Sequence, residues 1–122
     1  MDWNFKRFLN SWKFAKSGFE EACFREQNFR IELFCFFLAI ALSFYLKISS
    51  YELVFIVISS FFVLVAELFN TAIERLTDLV CEKREANLAK LAKDLSSCAV
   101  LLAATNSVLV ALVIFIPKFM LF

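Results

Sequence analysis

The stretch 53-LVFIVISSFFVLVAELFNTAIERLTD-78 changes character at Glu67. Up to Ala66 it carries no charge, and from there it places Glu67, Asn70, Glu74 and Asp78 at steps of three and four. The first half reads as membrane helix. A carboxylate at the depth of Glu67 costs on the order of 3 kcal/mol unless it has a partner or a polar cavity. On a helix turning about 100° per residue, Asn70 and Glu74 fall about 60° and about 20° to one side of Glu67, and Asp78 about 20° to the other. Three carboxylates and an amide thus line one stripe, from inside the membrane to its edge. Holding divalent cations and moving a proton is the work that fits such a stripe.

Composition supports the membrane reading. The chain has 122 residues, short enough for one domain over 1–122, and is 61% hydrophobic with 17 Phe, one Gly and one Pro. A small water-soluble core cannot hide that much apolar side chain, so the surplus faces lipid or other subunits. With no His, proton transfer falls to a carboxylate, a lysine or water. Cys23, Cys35, Cys81 and Cys98 are scattered, form no CxxC pair and read as free thiols. A formal charge of +1 points to no nucleic-acid partner. The first 30 residues are interrupted by charge and do not fit a signal peptide.

Around the central stretch the pattern predicts an all-α membrane protein. Phe5, Phe8, Leu9, Trp12, Ala15 and Phe19 recur at three- and four-residue steps, with Lys6, Lys13 and Lys16 away from that face. This predicts an amphipathic helix over about 4–19, suited to the membrane surface, with Gly18 permitting a bend or close approach at its end. Residues 20–32 continue as mixed polar sequence, and their spacing predicts one helix running directly into the first apolar segment. Glu26 and Arg30, four apart, read as a surface ion pair there. Three spans follow at about 29–48, 53–73 and 95–117, with Arg30 and Lys47 snorkelling at the ends of the first. Thr105-Asn106-Ser107, in the middle of the third, marks a face that meets another helix.

The basic residues set an orientation. Lys6, Arg7, Lys13, Lys16, Arg25 and Arg30 precede the first span, and Arg75, Lys83, Arg84, Lys90 and Lys93 lie between the second and third. The 47–52 loop holds only Lys47 and the tail only Lys118. The positive-inside rule places the N-terminus and the 75–94 segment in the cytoplasm, and the 47–52 turn and C-terminus outside. The first two spans form an antiparallel hairpin.

Glu26, the 67–78 stripe, and Lys93, Asp94 and Ser97 then share one membrane level. Phosphoryl transfer fits this arrangement. Magnesium prefers carboxylate oxygens and keeps several waters, so two carboxylates from different helices suffice to hold it over the phosphates of ATP. Lysine or arginine offsets charge on the transferred group. A deeper carboxylate takes the proton from a hydroxyl held in the membrane, and Glu67 is the deep one. With a single glycine, the chain carries no P-loop or protein-kinase glycine loop.

The segment 67-ELFNTAIERLTD-78 resembles the signature E-x-x-N-x-A-x-E-x-x-x-D of the small integral-membrane prokaryotic diacylglycerol kinase and undecaprenol kinase family. The segments 26-EQNFRIE-32 and 92-AKDLSSCAV-100 resemble two further blocks, and the likeness covers nearly the whole chain. The resemblance implies a homotrimeric helical bundle in the bacterial inner membrane, with an amphipathic surface helix and three transmembrane helices per subunit, sites between subunits, and Mg-ATP as phosphoryl donor. It implies Glu67 as general base, Glu26 and Glu74 as magnesium ligands, Asn70 orienting the site and Asp78 supporting it. Lys93 and Asp94 would serve the nucleotide end, with Arg7 as a phosphate contact, and Ser97 would line the lipid end. Two features depart from the family: the usual Tyr-His pair of the cytoplasmic loop is missing, and 81-CEKREANLAKL-91 is one residue longer than usual. The 26–32 segment and 117-PKF-119 resemble the undecaprenol branch more closely, with diacylglycerol as the other acceptor. A small ion-coupled transporter is the rival class, since an intramembrane carboxylate is the usual mark of ion movement.

Overall fold

The computed structural model describes residues 4–80 and 86–121. The described chain forms four helices, α1 (Phe5–Arg25), α2 (Gln27–Tyr45), α3 (Ser50–Val80) and α4 (Ala86–Met120). The last three are long and apolar enough to cross a membrane. Cys81 and the first half of the 81–91 segment lie outside the described residues; Cys23, Cys35 and Cys98 are free thiols.

α1 starts at Asn4, whose Oδ1 accepts the Arg7 N–H at 3.3 Å and satisfies one of the first-turn donors. Phe5, Phe8 and Trp12 follow one another along its side, with ring centroids 6.5 and 6.3 Å apart. Gly18 admits no close neighbour, since the space where a side chain would project is open for 4 Å.

The expected continuous helix through 20–32 is broken instead at Glu26, which is extended at φ −105° and ψ 108°. Two arginines make the break. Arg30 Nη1 turns back to donate to the Cys23 and Phe24 carbonyls at 3.2 and 2.9 Å, satisfying acceptors freed at the end of α1. Glu26 is bound by Arg75 of α3 at 2.7 Å. The expected Glu26–Arg30 pair and the snorkelling of Arg30 are therefore replaced by these two contacts. Beyond the break, Phe29 is buried with Ala22 and Leu64, and its ring meets Phe19 edge-on at 5.7 Å.

α2 ends three residues before the expected boundary because a tight cap stops it. Lys47 N–H donates to the Phe44 carbonyl and Ile48 N–H to the Ser43 carbonyl, both at 3.2 Å. This is the paired pattern of a Schellman cap, with Lys47 in the left-handed position at φ 51°. The next helix opens on a capping box: Ser49 N–H donates to Glu52 Oε2 at 2.8 Å, and Glu52 N–H to Ser49 Oγ at 3.2 Å. Lys118, near the end of α4, lies 3.4 Å from the same Glu52 carboxylate. Leu46, Ile56, Ile114 and Phe115 close this end of the bundle as one buried cluster.

α3 is the central element and packs chiefly against α4, with α2 on another side. Both α3 and α4 continue past the expected spans. Good helix formers such as Leu76 and the Ala/Leu/Lys run 88-LAKLAK-93 carry the helical pattern into polar sequence. At about 1.5 Å per residue, Glu67 sits about 21 Å from Leu53 and Glu74 about 32 Å. A hydrocarbon layer about 30 Å thick that starts near Leu53 therefore contains Glu67 and ends near Glu74. Phe24, Phe34, Phe55, Phe62 and Phe69 are all more than half exposed, so the outer faces of the helices are apolar.

A left-handed lysine carries a backbone cost that glycine does not. Lys47→Gly is expected to stabilise the chain by about 1 kcal/mol, read from the midpoint of denaturant unfolding in micelles. A midpoint that falls would show that the Lys47 side chain outweighs the backbone relief.

Candidate active site

Each functional side chain is placed by a local feature already described. The buried stripe of α3 brings Glu67, 3% exposed, and Asn70, 7% exposed, to the inside of the bundle, with Glu74 half-buried beyond them. The α1–α2 break brings Glu26 and Asn28 alongside. Asn28 and the charges of Glu74 and Glu26 all act on the Glu67 carboxylate. Glu32, one turn further along α2, faces Glu67 as well. Three further carboxylates therefore lie near enough to Glu67 for their charges to interact with it.

Asn70 links α3 to α4 in this site. Its Nδ2 donates to Glu74 Oε1 at 3.3 Å, and its Oδ1 accepts from Ser96 Oγ of α4 at 2.7 Å. Ser96 is 7% exposed and also lies 2.9 Å from the Lys93 carbonyl. Nearer the polar end, Lys93 binds Asp78 across the α3–α4 contact, and Lys90 binds Asp94 at 2.6 Å. Asp78, Lys93 and Asp94 thus form a charged group above the Glu74–Asn70 pair. On the α1 side, Arg75 clamps Glu21 at 3.1 Å and Glu26 at 2.7 Å.

Most of the expected site residues are brought together in this way: Glu26, Glu67, Asn70 and Glu74 around the buried carboxylate, Asp78, Lys93 and Asp94 above it. Arg7 is not. It lies near the start of α1, about 27 Å along the helix axis from Arg25. Ser97 is exposed on α4, and its neighbour Ser96 faces the site instead. Sequence reasoning missed Asn28, Glu32, Arg75 and Ser96. The arginine read as one of the basic residues between the second and third spans, and only the crossing of α3 with α1 and the α1–α2 break reveals its partners. For Glu32 a signal was available: it lies six residues after Glu26, next to the first apolar run.

A cleft of about 280 Å³ extends from Glu32 between α2, α3 and α4, lined also by Phe36, Ser60, Val63, Ala104 and Ser107. Oε2 of Glu32 is buried and accepts no hydrogen bond. Of the polar triplet in α4, Ser107 faces this cleft, whereas Thr105 is exposed and returns its hydroxyl to the Leu101 carbonyl at 2.8 Å, and Asn106 is exposed.

The donor chemistry fits a magnesium ion. Among the described residues no group of three acidic, cysteine or histidine side chains forms a complete metal cage. Glu26 and Glu74 instead each lie near enough to Glu67 for their charges to act on it, one from the α1–α2 break and one from α3. Magnesium is bound in this way by one or two carboxylates, with phosphate and water oxygens completing its shell.

These features define a helical membrane protein whose buried carboxylate, acidic pair and lysine-bearing rim lie at one end of the bundle. Residues 13–115 match the prokaryotic diacylglycerol kinase family. A diacylglycerol kinase of Synechocystis is 34% identical over 109 residues, 89% of this chain and 62% of that protein. The undecaprenol kinase of Bacillus subtilis is 36% identical over 114 residues, covering 92% of this chain and 90% of that protein. A diacylglycerol kinase of Haemophilus influenzae is 33% identical over 95 residues, 78% of this chain and 80% of that protein. The chain belongs to the prokaryotic diacylglycerol kinase family, a family of lipid kinases.

The Arg75 clamp is half-exposed, so its removal should open the α1–α2 break without unfolding the bundle. Arg75→Ala is expected to speed amide hydrogen exchange over residues 21–30 about fivefold. Unchanged protection there would show that Arg30 alone holds the break.

Proposed function

We propose that this chain transfers the terminal phosphoryl group of ATP to the hydroxyl of a membrane lipid alcohol, undecaprenol or diacylglycerol, in a magnesium-dependent reaction. The observation that carries the reading is Glu67: a carboxylate 3% exposed, at apolar depth, near Asn28 and lying about 10 Å below Glu74 along α3. That spacing accommodates a lipid hydroxyl at Glu67 and a polyphosphate at Glu74.

In this reading Glu67 accepts the proton of the lipid hydroxyl as its oxygen attacks the terminal phosphorus. The bond to the bridging oxygen breaks, and ADP departs with that electron pair. Glu26 and Glu74 hold the magnesium ion, which when bound neutralises phosphate charge. Lys93 offsets charge on the nucleotide, Asp78 and Asp94 hold the lysines at this rim in place, and Asn70 sets the direction of Glu74. The apolar cleft beside Glu32 takes the hydrocarbon chain next to the hydroxyl, and Ser97 lines the lipid approach. Arg7, remote from the carboxylates of its own chain, contacts phosphate at the site of a neighbouring subunit in a homotrimer.

The same reading treats residues 1–122 as one kinase domain in the bacterial inner membrane. α1 lies on the cytoplasmic surface, its lysines toward the headgroups and water. The N-terminus and the Glu74 end face the cytoplasm, where ATP is available, and the 46–49 turn and C-terminus face outward. The names of the relatives support both acceptors, and a 36% identical undecaprenol kinase supports the polyprenol.

Radiolabelled phosphate transfer from ATP to a panel of lipid alcohols in micelles tests the reaction and its acceptor. Wild type is expected to label undecaprenol or diacylglycerol. Glu67→Gln should lower turnover about 10²- to 10⁴-fold while leaving Mg-ATP affinity nearly unchanged. A wild type that labels no lipid alcohol, or a Glu67→Gln variant with near-normal turnover, overturns the reading.

A further inference from the structure

We propose that Ser96 is a positioning residue: its hydroxyl locks the Asn70 amide so that the N–H end faces Glu74, and thereby fixes a carboxylate that holds the divalent cation. The inference rests on the metal-holding role proposed above for Glu74, and extends it to a residue on a different helix.

An asparagine amide has the same shape in both of its flipped orientations, but opposite polarity at its two ends. In one, Asn70 offers N–H to Glu74; in the other, it points a carbonyl oxygen at a carboxylate oxygen 3.3 Å away, which is repulsive. Ser96 Oγ stands 2.7 Å from the opposite end of the amide, inside the bundle, where no water competes. A hydroxyl has one proton and can give it to Asn70 Oδ1 or to the Lys93 carbonyl at 2.9 Å. Given to Asn70, it holds the amide in the orientation that supports Glu74. Given to Lys93, it presents lone pairs to Asn70 and favours the flipped amide. The proton on Ser96 is thus coupled to the direction of Asn70 and so to the position of Glu74.

The consequence belongs to metal affinity more than to chemistry at Glu67. Groups that orient a metal ligand typically change affinity by 10- to 100-fold when removed. Alanine at 96 removes the hydroxyl from a buried partner and leaves Asn70 Oδ1 without a donor. Threonine keeps the hydroxyl. Ser97, one residue on, cannot replace it, because successive residues on a helix point about 100° apart.

The test uses the full chain in micelles with Mn²⁺ as the probe, titrated in the presence of a non-hydrolysable ATP analogue and followed by the electron paramagnetic resonance signal of free Mn²⁺. Ser96→Ala is expected to weaken Mn²⁺ binding about tenfold. Turnover at saturating Mg²⁺ should stay within about threefold of wild type. Ser96→Thr is expected to restore the affinity. Equal Mn²⁺ affinity in wild type and Ser96→Ala overturns the proposal, as does a wild type that binds no Mn²⁺. A loss shared by the Thr variant, together with a lowered unfolding midpoint in both, would mark packing alone and overturn it too. Phosphate transfer by wild type, measured in the same preparations, separates the outcomes: a lipid-labelling wild type with a silent Ser96→Ala removes only the positioning role.

Discussion

A carboxylate held about 21 Å along an apolar helix must be given polar company, and the rest of this fold supplies it. Glu67 sits on the buried face of α3, and water cannot serve it there. The chain meets the need from three directions. The break at Glu26 brings the Asn28 amide near the carboxylate. The α3 stripe adds Asn70 and Glu74 on the same face. α4, packed along α3, brings Ser96 to Asn70. Each of these features costs helix regularity or apolar burial, and each is explained by the charge at its centre.

The break between α1 and α2 shows how the constraint spreads. An uninterrupted helix through residue 26 would be favoured locally, since nothing in 20–32 is a strong helix breaker. Arg30 and Arg75 override that preference together, one by satisfying the carbonyls at the end of α1 and the other by pulling Glu26 toward α3. Both arginines were visible in the sequence, and both read as ordinary surface charges. Arg75 finds its partners across a helix crossing and Arg30 six and seven residues back, and a spacing rule that sees only i, i+3 and i, i+4 neighbours cannot find them. The stripe from Glu67 to Asp78 was legible for the converse reason: all four residues lie on one helix, and helical periodicity alone places them together. The three apolar helices were legible from run length and charge, whereas their ends depended on caps such as the left-handed Lys47. Adjacent serines mark the finest limit. Ser96 and Ser97 differ by about 100° of helix rotation, and the register of α4 on α3 decides which one faces Asn70.

The surface of the chain presents the complementary problem. Apolar faces are expected toward lipid, but a single three-span bundle has little interior, and only eight hydrophobic side chains are buried among the described residues. Glu32 is a sharper observation than the apolar area. Its Oε2 is buried without a hydrogen bond, at the mouth of a cleft otherwise lined mostly by apolar side chains. A buried polar oxygen left without a donor costs on the order of 1–3 kcal/mol. An occupant that brings a donor to that point gains this energy on binding. In the proposed reaction the chain of the lipid alcohol matches the cleft, and its single hydroxyl proton is donated at Glu67 before the transfer. After transfer the oxygen carries a phosphate ester and has no proton to donate, so the same carboxylates that favour the alcohol repel the product. Substrate and product are then separated by charge at the place where the reaction occurs, which gives the phosphorylated lipid a reason to leave.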